Sequence, residues 1–205
     1  MKIIVTALPG SGKTTTLKKL VDMMPEVRVV NYGDIMLEEA ARNYGILHRD
    51  DMRKMLGLHD YQRLQLMAAE KIAVMENIVV VDTHSVIKTT SGYYPGLPAD
   101  AVKIIKPDVI VYIESRPEDI AERRMKDNIS GAGRKRDSST LEEIMLDQQV
   151  GRQFVVAAAN SAMCYLKIIS LTYPQSYPFQ HAEEAARQIA QTINDVRKAV
   201  SSKKG

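Results

Sequence analysis

Residues 3 to 15 restrict the fold of this chain more than any other stretch. Residues 3 to 7 form an apolar run typical of a buried parallel strand, and a Pro/Gly-rich turn leads from it into a helical pattern. In the turn, Gly10 and Gly12 let the backbone curl so that successive N–H groups point inward. A helix that begins near Lys13 adds the positive end of its dipole. This order of strand, loop and helix predicts a binding site for a di- or triphosphate.

The turn follows the pattern Gly-x-x-x-x-Gly-Lys-Ser/Thr except at its first position, which is Ala7. Alanine fits there if its φ angle is negative, and only a positive φ would exclude it. In such a loop we expect Lys13 to reach the terminal phosphates and the Thr14 hydroxyl to bind Mg²⁺. The alternative is a tight strand-to-helix turn with an exposed lysine.

Apolar runs alternate with helical patterns along the 205 residues. The predicted strands are 3–7, 27–31, 78–81, 109–113 and 165–171. Strands that alternate with helices form a parallel, doubly wound sheet with right-handed crossovers. No shift in composition divides the chain, so we expect one α/β domain spanning 1–205.

Charge and composition narrow the classes of partner. The net charge is +3 with a pI near 8.9, and the basic residues gather in 116–136 and 197–204 without interleaved aromatic residues. This distribution favours small anionic ligands over nucleic acid, and we expect no DNA binding. Cys164 is the only cysteine, so neither an intrachain disulfide nor a structural zinc site built from thiolates is expected. Its apolar neighbours predict a small core residue.

No apolar stretch approaches the length of about 18 residues that a membrane-spanning helix needs. The first residues contain a short apolar run but no cleavage-site pattern. We therefore expect a soluble cytoplasmic protein that does not associate with membranes.

Two polar residues follow the β-branched run 78–81. Asp82 stands where the carboxyl end of a parallel strand is expected, and ligands collect at that edge of an open sheet. We interpret Asp82 as the acidic partner of Mg²⁺, held directly or through water; the alternative is an aspartate that caps the following loop. His84 either lines the nucleotide site, orients a neighbour or is an ordinary loop histidine.

Two stretches are predicted to be functional loops. Residues 88–98 are rich in turn-forming residues, and Gly96 allows a close backbone approach. Residues 129–138 combine flexible glycines with a dense run of positive charge, between helices that begin at the capping boxes 115–118 and 140–143. We expect 129–138 to form a mobile lid over phosphates; a solvated basic loop is the alternative.

Six short motifs, spread over nearly the whole chain, occur together. They are Leu-Pro-Gly-Ser-Gly-Lys-Thr-Thr (8–15), Asn-Tyr-Gly-Asp (31–34), Arg-Asp-Asp-Met-Arg-Lys (49–54), Val-Asp-Thr-His (81–84), Ser-Gly-Tyr-Tyr-Pro-Gly-Leu-Pro (91–98) and Arg-Lys-Arg-Asp (134–137). In combination they resemble the archaeal-type adenylate kinases. The resemblance implies a three-layer fold of the P-loop NTPase type with a short mobile lid. It also implies a nucleoside monophosphate kinase that converts Mg·ATP and AMP into two ADP for adenine nucleotide homeostasis. Members of this family are commonly trimeric.

The resemblance assigns site residues by position in this sequence, with an AMP-binding segment at about 31–76 and the lid at about 129–138. For the ATP phosphates it gives Pro9, Gly10, Ser11, Gly12, Lys13, Thr14 and Thr15. For AMP it gives Tyr32, Gly33, Met36, Arg53, His84, Gly96, Leu97 and Pro98, the last three as a main-chain wall. For catalysis it gives Lys13, Arg124, Arg134 and Arg136, and for Mg²⁺ Thr14 and Asp82.

Other functions of a phosphate-binding loop are weighed against this one. A nucleotide-dependent switch or regulatory ATPase is the alternative from another class. Its GTPase form is disfavoured, because no Asn-Lys-x-Asp motif follows a strand and Asp82 is followed by Thr-His-Ser, not by x-x-Gly. A kinase of another small acceptor differs only on the acceptor side. A related ATPase that assists ribosome assembly is a further alternative, since the mild positive charge is compatible with RNA contact.

Overall fold

The structure, a computed structural model, describes residues 1–130 and 140–201 of the chain. The predicted lid falls almost entirely between these ranges, so Arg134 and Arg136 lie outside the described residues. Residues 129 and 130, the first two of the predicted lid, belong to the helix that precedes it.

Seven strands are present in the described part. They are β1 (Lys2–Ala7), β2 (Val27–Asn31), β3 (Ile78–Thr83), β4 (Val86–Thr89), β5 (Gly92–Pro95), β6 (Val109–Ser115) and β7 (Tyr165–Leu171). Five of them form a parallel sheet in the order β2-β3-β1-β6-β7. The order reverses on either side of β1, which places the crevice of a doubly wound sheet at the carboxyl end of that strand.

The described residues also form eight helices, the last of which follows the final strand. They are α1 (Lys13–Met23), α2 (Tyr32–Tyr44), α3 (Arg49–Met55), α4 (Leu58–Ala73), α5 (Ala99–Ile105), α6 (Pro117–Ser130), α7 (Leu141–Ala162) and α8 (Gln180–Ser201). Side chains alternate between the two faces of a strand. Ile3 and Val5 of β1 accordingly pack in a core with α1 and α8, whereas Ile4 packs on the other face with α2, α4, α5 and α7. The predicted three-layer α/β fold with a five-stranded parallel sheet is confirmed.

The prediction that 88–98 is a functional loop is wrong about its backbone, which is not a loop. Most of this stretch belongs to an antiparallel hairpin, in which Val86 pairs with Pro95 and Thr89 pairs with Gly92. The turn residues that suggested a loop mark the tight end of the hairpin, where the Thr89 hydroxyl donates to the Gly92 carbonyl at 2.8 Å. The hairpin extends from the sheet, and at Gly96 the chain returns to the end of β3.

The two predicted capping boxes have different outcomes. Thr140 and Glu143 form the reciprocal hydrogen bonds of a capping box, so that prediction is confirmed. The box at 115–118 is wrong, because Ser115 is the last residue of β6 and its hydroxyl donates to the Ser11 carbonyl at 3.3 Å. Helix α6 begins at Pro117, a residue that suits the first helical position because it has no N–H to satisfy.

Candidate nucleotide site

The loop between β1 and α1 has the backbone that an anion site requires. Gly10 and Gly12 have φ angles of 92° and 88°, in the left-handed region that glycine adopts without strain. Ala7 ends β1 as ordinary extended strand, so the substitution at this position costs nothing in backbone geometry. Gly12 is the N-cap of α1, and no side chain in the described ranges caps this helix. The N–H groups of the first turn therefore remain available to an anion.

Lys13 is tied to the end of β3. Its ammonium group contacts the Asp82 carboxylate and the Thr83 carbonyl, and its side chain is only 8% exposed. Asn31, at the end of β2, donates to the other Asp82 oxygen at 2.8 Å. Burial lowers the pKa of Lys13 more than the Asp82 charge raises it. The loop, β2 and β3 thus meet at one charged cluster at the carboxyl edge of the sheet.

Two neighbouring arginines of α6 contact the backbone of the loop. Arg124 is almost buried, and its Nε donates to the Pro9 carbonyl at 3.0 Å. Arg123 donates from Nη1 to the Gly10 carbonyl at 3.2 Å. Only Arg124 of this pair was predicted for the site. Because the interactions of Arg123 depend on tertiary packing, the sequence alone gives no sign that separates it from a surface arginine.

A third arginine, Arg49 of α3, was also missed. Its guanidinium lies over Gly33, 3.0 to 3.2 Å from the point where a side chain would begin. It donates to the Asn31 side chain and, at 2.5 Å, to Asp34. Its charge also acts to lower the pKa of Lys13. The predicted arginine Arg53 lies one turn further along α3, more exposed, and pairs with Asp50 at 3.3 Å.

His84 lies against the loop. Its Nδ1 is 3.2 Å from the Ala7 carbonyl, and because a carbonyl only accepts, this nitrogen carries the hydrogen. Burial, reinforced by the charge of Lys13, lowers the pKa of His84 to about 4. The imidazole is therefore neutral at pH 7 and holds the end of β1. This geometry fits the predicted role of orienting a neighbour.

The other predicted acceptor residues form a wall. Tyr32 and Met36 are only 2% and 4% exposed, so they support the wall from the core side. The Tyr32 hydroxyl donates to the Gln65 carbonyl at 2.6 Å, and burial raises its pKa well above the usual value. The Gln65 amide in turn donates to the Pro95 carbonyl at 3.1 Å. A buried glutamine of α4 thereby fixes the hairpin end, a role that no sequence pattern indicated.

Gly96 has the closest neighbour of all glycines in the described part of the chain. A side chain there would begin 2.1 Å from the His84 carbonyl oxygen, and the Gly96 N–H donates to the Ser85 carbonyl at 3.0 Å. The predicted close approach is thus present. Leu97 is buried beside it, and Pro98 is the N-cap of α5. The segment therefore forms a rigid main-chain surface next to the loop.

Gly96→Ala is expected to destabilise the fold, because either the hairpin or the end of β3 must move to admit the methyl group. The expected loss is about 1–3 kcal/mol in the free energy of unfolding. Gly57→Ala is the matched control, since a side chain at Gly57 meets nothing within 4 Å. Urea unfolding of the three proteins measures the difference, and equal midpoints for Gly96→Ala and the wild type would contradict the close packing.

Metal and membrane features are limited in the described part. In residues 1–130 and 140–201, no three His, Cys, Asp or Glu side chains gather as a metal-binding group. No helix within those ranges is both long and apolar enough to cross a membrane.

The fold and the site define a P-loop nucleotide-binding protein of the kinase type. Shikimate kinases from Aquifex aeolicus and Acinetobacter baumannii share the fold, with TM-scores of 0.55 and 0.54 at 18% and 14% identity over 95% of this chain and 97% and 93% of theirs. Residues 6–145 match the family described as AAA domain.

Curated relatives narrow the class further. The adenylate kinase of Pyrobaculum aerophilum is 46% identical over 94% of this chain and 96% of its own length. Those of Pyrococcus furiosus and Methanopyrus kandleri are 37% and 36% identical over 94% and 95% of this chain and 94% and 98% of theirs. The chain belongs to the AAA domain family and, within it, to the adenylate kinases. The resemblance seen in the sequence is confirmed, and the chain is a nucleoside monophosphate kinase.

Proposed function

We propose that this chain transfers the terminal phosphoryl group of Mg·ATP reversibly to AMP, giving two ADP, and so balances the adenine nucleotide pool. The observation that carries the proposal is the cluster of cations at the carboxyl edge of the sheet: Lys13 and Arg124 lie at the loop, and Arg49 contacts Asn31, which bonds to the Asp82 partner of Lys13. One phosphate group fits the loop, and Arg49 offers a second cationic position beside Gly33. Two anions held side by side are what a transfer between phosphates requires.

The residues present fit a magnesium ion. Asp82 and Thr14 supply the hard oxygen ligands that Mg²⁺ prefers, and Mg²⁺ usually takes only one or two protein ligands. One buried oxygen of Asp82 makes no hydrogen bond to the described residues and contacts only the Lys13 ammonium. We propose that these two residues hold the ion, directly or through water. When bound, it would neutralise phosphate charge.

The transfer needs no general base. The attacking oxygen belongs to the AMP phosphate and is already anionic at neutral pH, so bond formation to the terminal phosphorus and departure of ADP require charge neutralisation and alignment. During the transfer the Lys13 ammonium moves from Asp82 to the phosphoryl group. Arg124 supports the loop that binds this group. We propose that Arg134 and Arg136 join them on closure of the lid. A preorganised donor of this kind contributes about 3 kcal/mol to transition-state stabilisation.

We propose that the acceptor lies against Gly33 and the 96–98 wall, with its phosphate on Arg49 in addition to the predicted Arg53. An arginine fork binds phosphate through two parallel hydrogen bonds. The Arg49 guanidinium lies directly beside Gly33, which has no side chain to occupy that space.

Arg49→Ala is expected to raise KM for AMP by at least about tenfold with little change in KM for ATP, because a charge-assisted contact of one substrate is lost. Arg53→Ala tests the sequence prediction in the same assay. Arg42→Ala is the control, since Arg42 is exposed on α2 and pairs with Glu39. A raised KM for Arg53→Ala alone would leave Arg53 as the phosphate ligand and remove Arg49 from the site.

Coupled assays of ATP consumption with AMP, shikimate or no acceptor test the function. Two ADP per ATP consumed, only when AMP is present, is the expected result. Turnover with shikimate would favour a kinase of another acceptor. ATP hydrolysis that is independent of AMP would favour the regulatory or ribosome-assembly ATPase.

We further propose that the enzyme works in the cytoplasm as a homotrimer, as the family resemblance implies. Large apolar side chains exposed on α7 and at the start of β7 support self-association: Met145, Leu146, Val156, Met163 and Tyr165. Light scattering should then give a mass three times the 22.9 kDa of one chain. A mass of 22.9 kDa at assay concentration would contradict the trimer.

A further inference from the structure

A buried histidine at the start of α8 has no role in the proposed reaction. His181 is 2% exposed, and neither ring nitrogen makes a well-formed hydrogen bond to the described residues. The ring of Tyr173 packs edge-on against the imidazole, with 4.8 Å between the ring centres. The backbone N–H of His181 donates to the Gln175 side chain. Buried imidazoles are normally hydrogen-bonded, since an unpaired polar group costs free energy. His181 therefore occupies a position that packing alone does not explain.

The nearest charge to His181 is Asp119 of α6. An Asp119 carboxylate oxygen is 3.4 Å from Nδ1 of His181 and likewise lacks a hydrogen bond to any part of the chain that the structure describes. Two arginines approach the same carboxylate, Arg116 just before α6 and Arg123 within it, each at 3.9 Å. Asp119 is thus shared by three basic groups, although it forms a close pair with none of them.

Arg123 connects this cluster to the phosphate loop. While its Nη2 faces Asp119, its Nη1 donates to the Gly10 carbonyl and lies 3.4 Å from the point where a side chain of Gly12 would begin. One guanidinium therefore spans from the carboxylate to the two glycines that shape the loop. A change in the interaction between Asp119 and Arg123 would therefore move the Arg123 guanidinium at the edge of the loop.

The charges around His181 set its protonation. Burial lowers its pKa below 6.5, and Arg123 and Arg116 act in the same direction, whereas Asp119 and the Tyr173 backbone act against them. The other charges at this end of α8 form pairs of their own: Glu183 pairs with Lys19 at 3.0 Å, and Glu184 pairs with Arg187 at 3.4 Å. At neutral pH the imidazole is therefore uncharged, and the Asp119 carboxylate is available to the arginines.

We propose that Asp119 and His181 are a positioning pair that holds Arg123 over the phosphate loop, so that protonation of His181 weakens binding of the donor triphosphate. A protonated His181 competes with Arg123 for the one carboxylate they share. Arg123 then loses its anchor and is free to leave the Gly10 carbonyl. The inference rests on the proposed binding of ATP at the loop, and it adds the C-terminal helix to the residues that control that site.

The direct test is the dissociation constant for ATP, measured by calorimetry at pH 7.5. Asp119→Asn, which keeps the shape and removes the charge, is expected to weaken binding about tenfold, since a lost charge-assisted interaction costs about that factor. KM for AMP should stay unchanged. Glu118→Gln is the matched control: it removes the same charge from the same turn, but Glu118 pairs with Arg116 and not with Arg123.

The second test is the pH dependence of the same constant between pH 7.5 and 5. The ratio of wild-type to His181→Gln affinity is compared at each pH, so that the titration of ATP itself cancels. The ratio should fall as the pH drops below 6.5. A constant ratio, or equal ATP affinity for Asp119→Asn and Glu118→Gln, would overturn the inference. Failure of the proposed function differs from both, because Lys13→Ala would then leave ATP affinity at its wild-type value.

Discussion

Replacing Lys13 by alanine is expected to lower kcat by at least about 100-fold while the chain remains folded. Lys13 is the first residue of α1, and its ammonium group contacts the end of β3. Its charge is the feature that distinguishes a phosphate-binding loop from an ordinary turn between a strand and a helix. Steady-state assays with saturating Mg·ATP and AMP measure the change.

The control for this variant is Lys18→Ala, one turn and a half further along α1, where the lysine is exposed. It should keep wild-type turnover. Because Lys13→Ala also leaves the Asp82 carboxylate without its partner, part of any loss in stability comes from an unpaired charge. The double variant Lys13→Ala/Asp82→Asn should recover stability but not activity. Wild-type turnover in a folded Lys13→Ala protein would remove the loop from the reaction.

The sheet could be predicted from the sequence because its three central strands, β1, β3 and β6, are buried on both faces. A run such as 78–81 has no polar residue for solvent, so it reads as a central strand, and the alternation with helices then gives the parallel topology. The structure extends this strand to Thr83 and places Asp82 within it, opposite Val5 of β1. The predicted location at the carboxyl edge was correct, because that edge depends only on strand direction.

The hairpin could not be predicted in the same way. Its strands are four residues each and partly exposed, and the second begins with Gly and ends with Pro. The local sequence is therefore typical of a loop. What fixes them is tertiary: Tyr94 bonds to Gln65 of α4, and Tyr93 bonds to Asp147 of α7. Such long-range contacts leave no periodic trace in the sequence.

The site shows the same division between local and tertiary information. The loop glycines and Lys13 form a local motif, and the structure gives them the predicted backbone. Arg49 and Arg53 occur in one motif, four residues apart, and nothing in the sequence says which of them turns toward the loop. The packing of α3 decides this, because it brings Arg49 against Gly33 and against Asn31, the last residue of β2.

The acceptor wall has a property that bears on substrate choice. Its main chain is held from two sides, by the Ser85 carbonyl on the Gly96 N–H and by the Gln65 amide on the Pro95 carbonyl. These two bonds hold the segment in place, so the remaining backbone groups of the wall cannot turn to meet a different base. A base with the wrong pattern of donors and acceptors would leave buried polar groups unpaired, and a site built on hydrogen bonds rejects such ligands by up to about 10⁴-fold in kcat/KM.

AMP is therefore expected to be preferred over CMP, UMP and GMP by at least about 100-fold in kcat/KM. A phosphate-binding arginine accepts any nucleoside monophosphate, so discrimination must come from the groups that face the base, which we place at Gly96, Leu97 and Pro98. The donor side, held chiefly through its phosphates, should tolerate GTP and UTP better than the acceptor side tolerates other bases. Initial rates with each monophosphate at fixed Mg·ATP, and with each triphosphate at fixed AMP, measure both preferences. Comparable rates with CMP or UMP would retain the chain among the P-loop kinases but would show that the 96–98 wall does not select adenine.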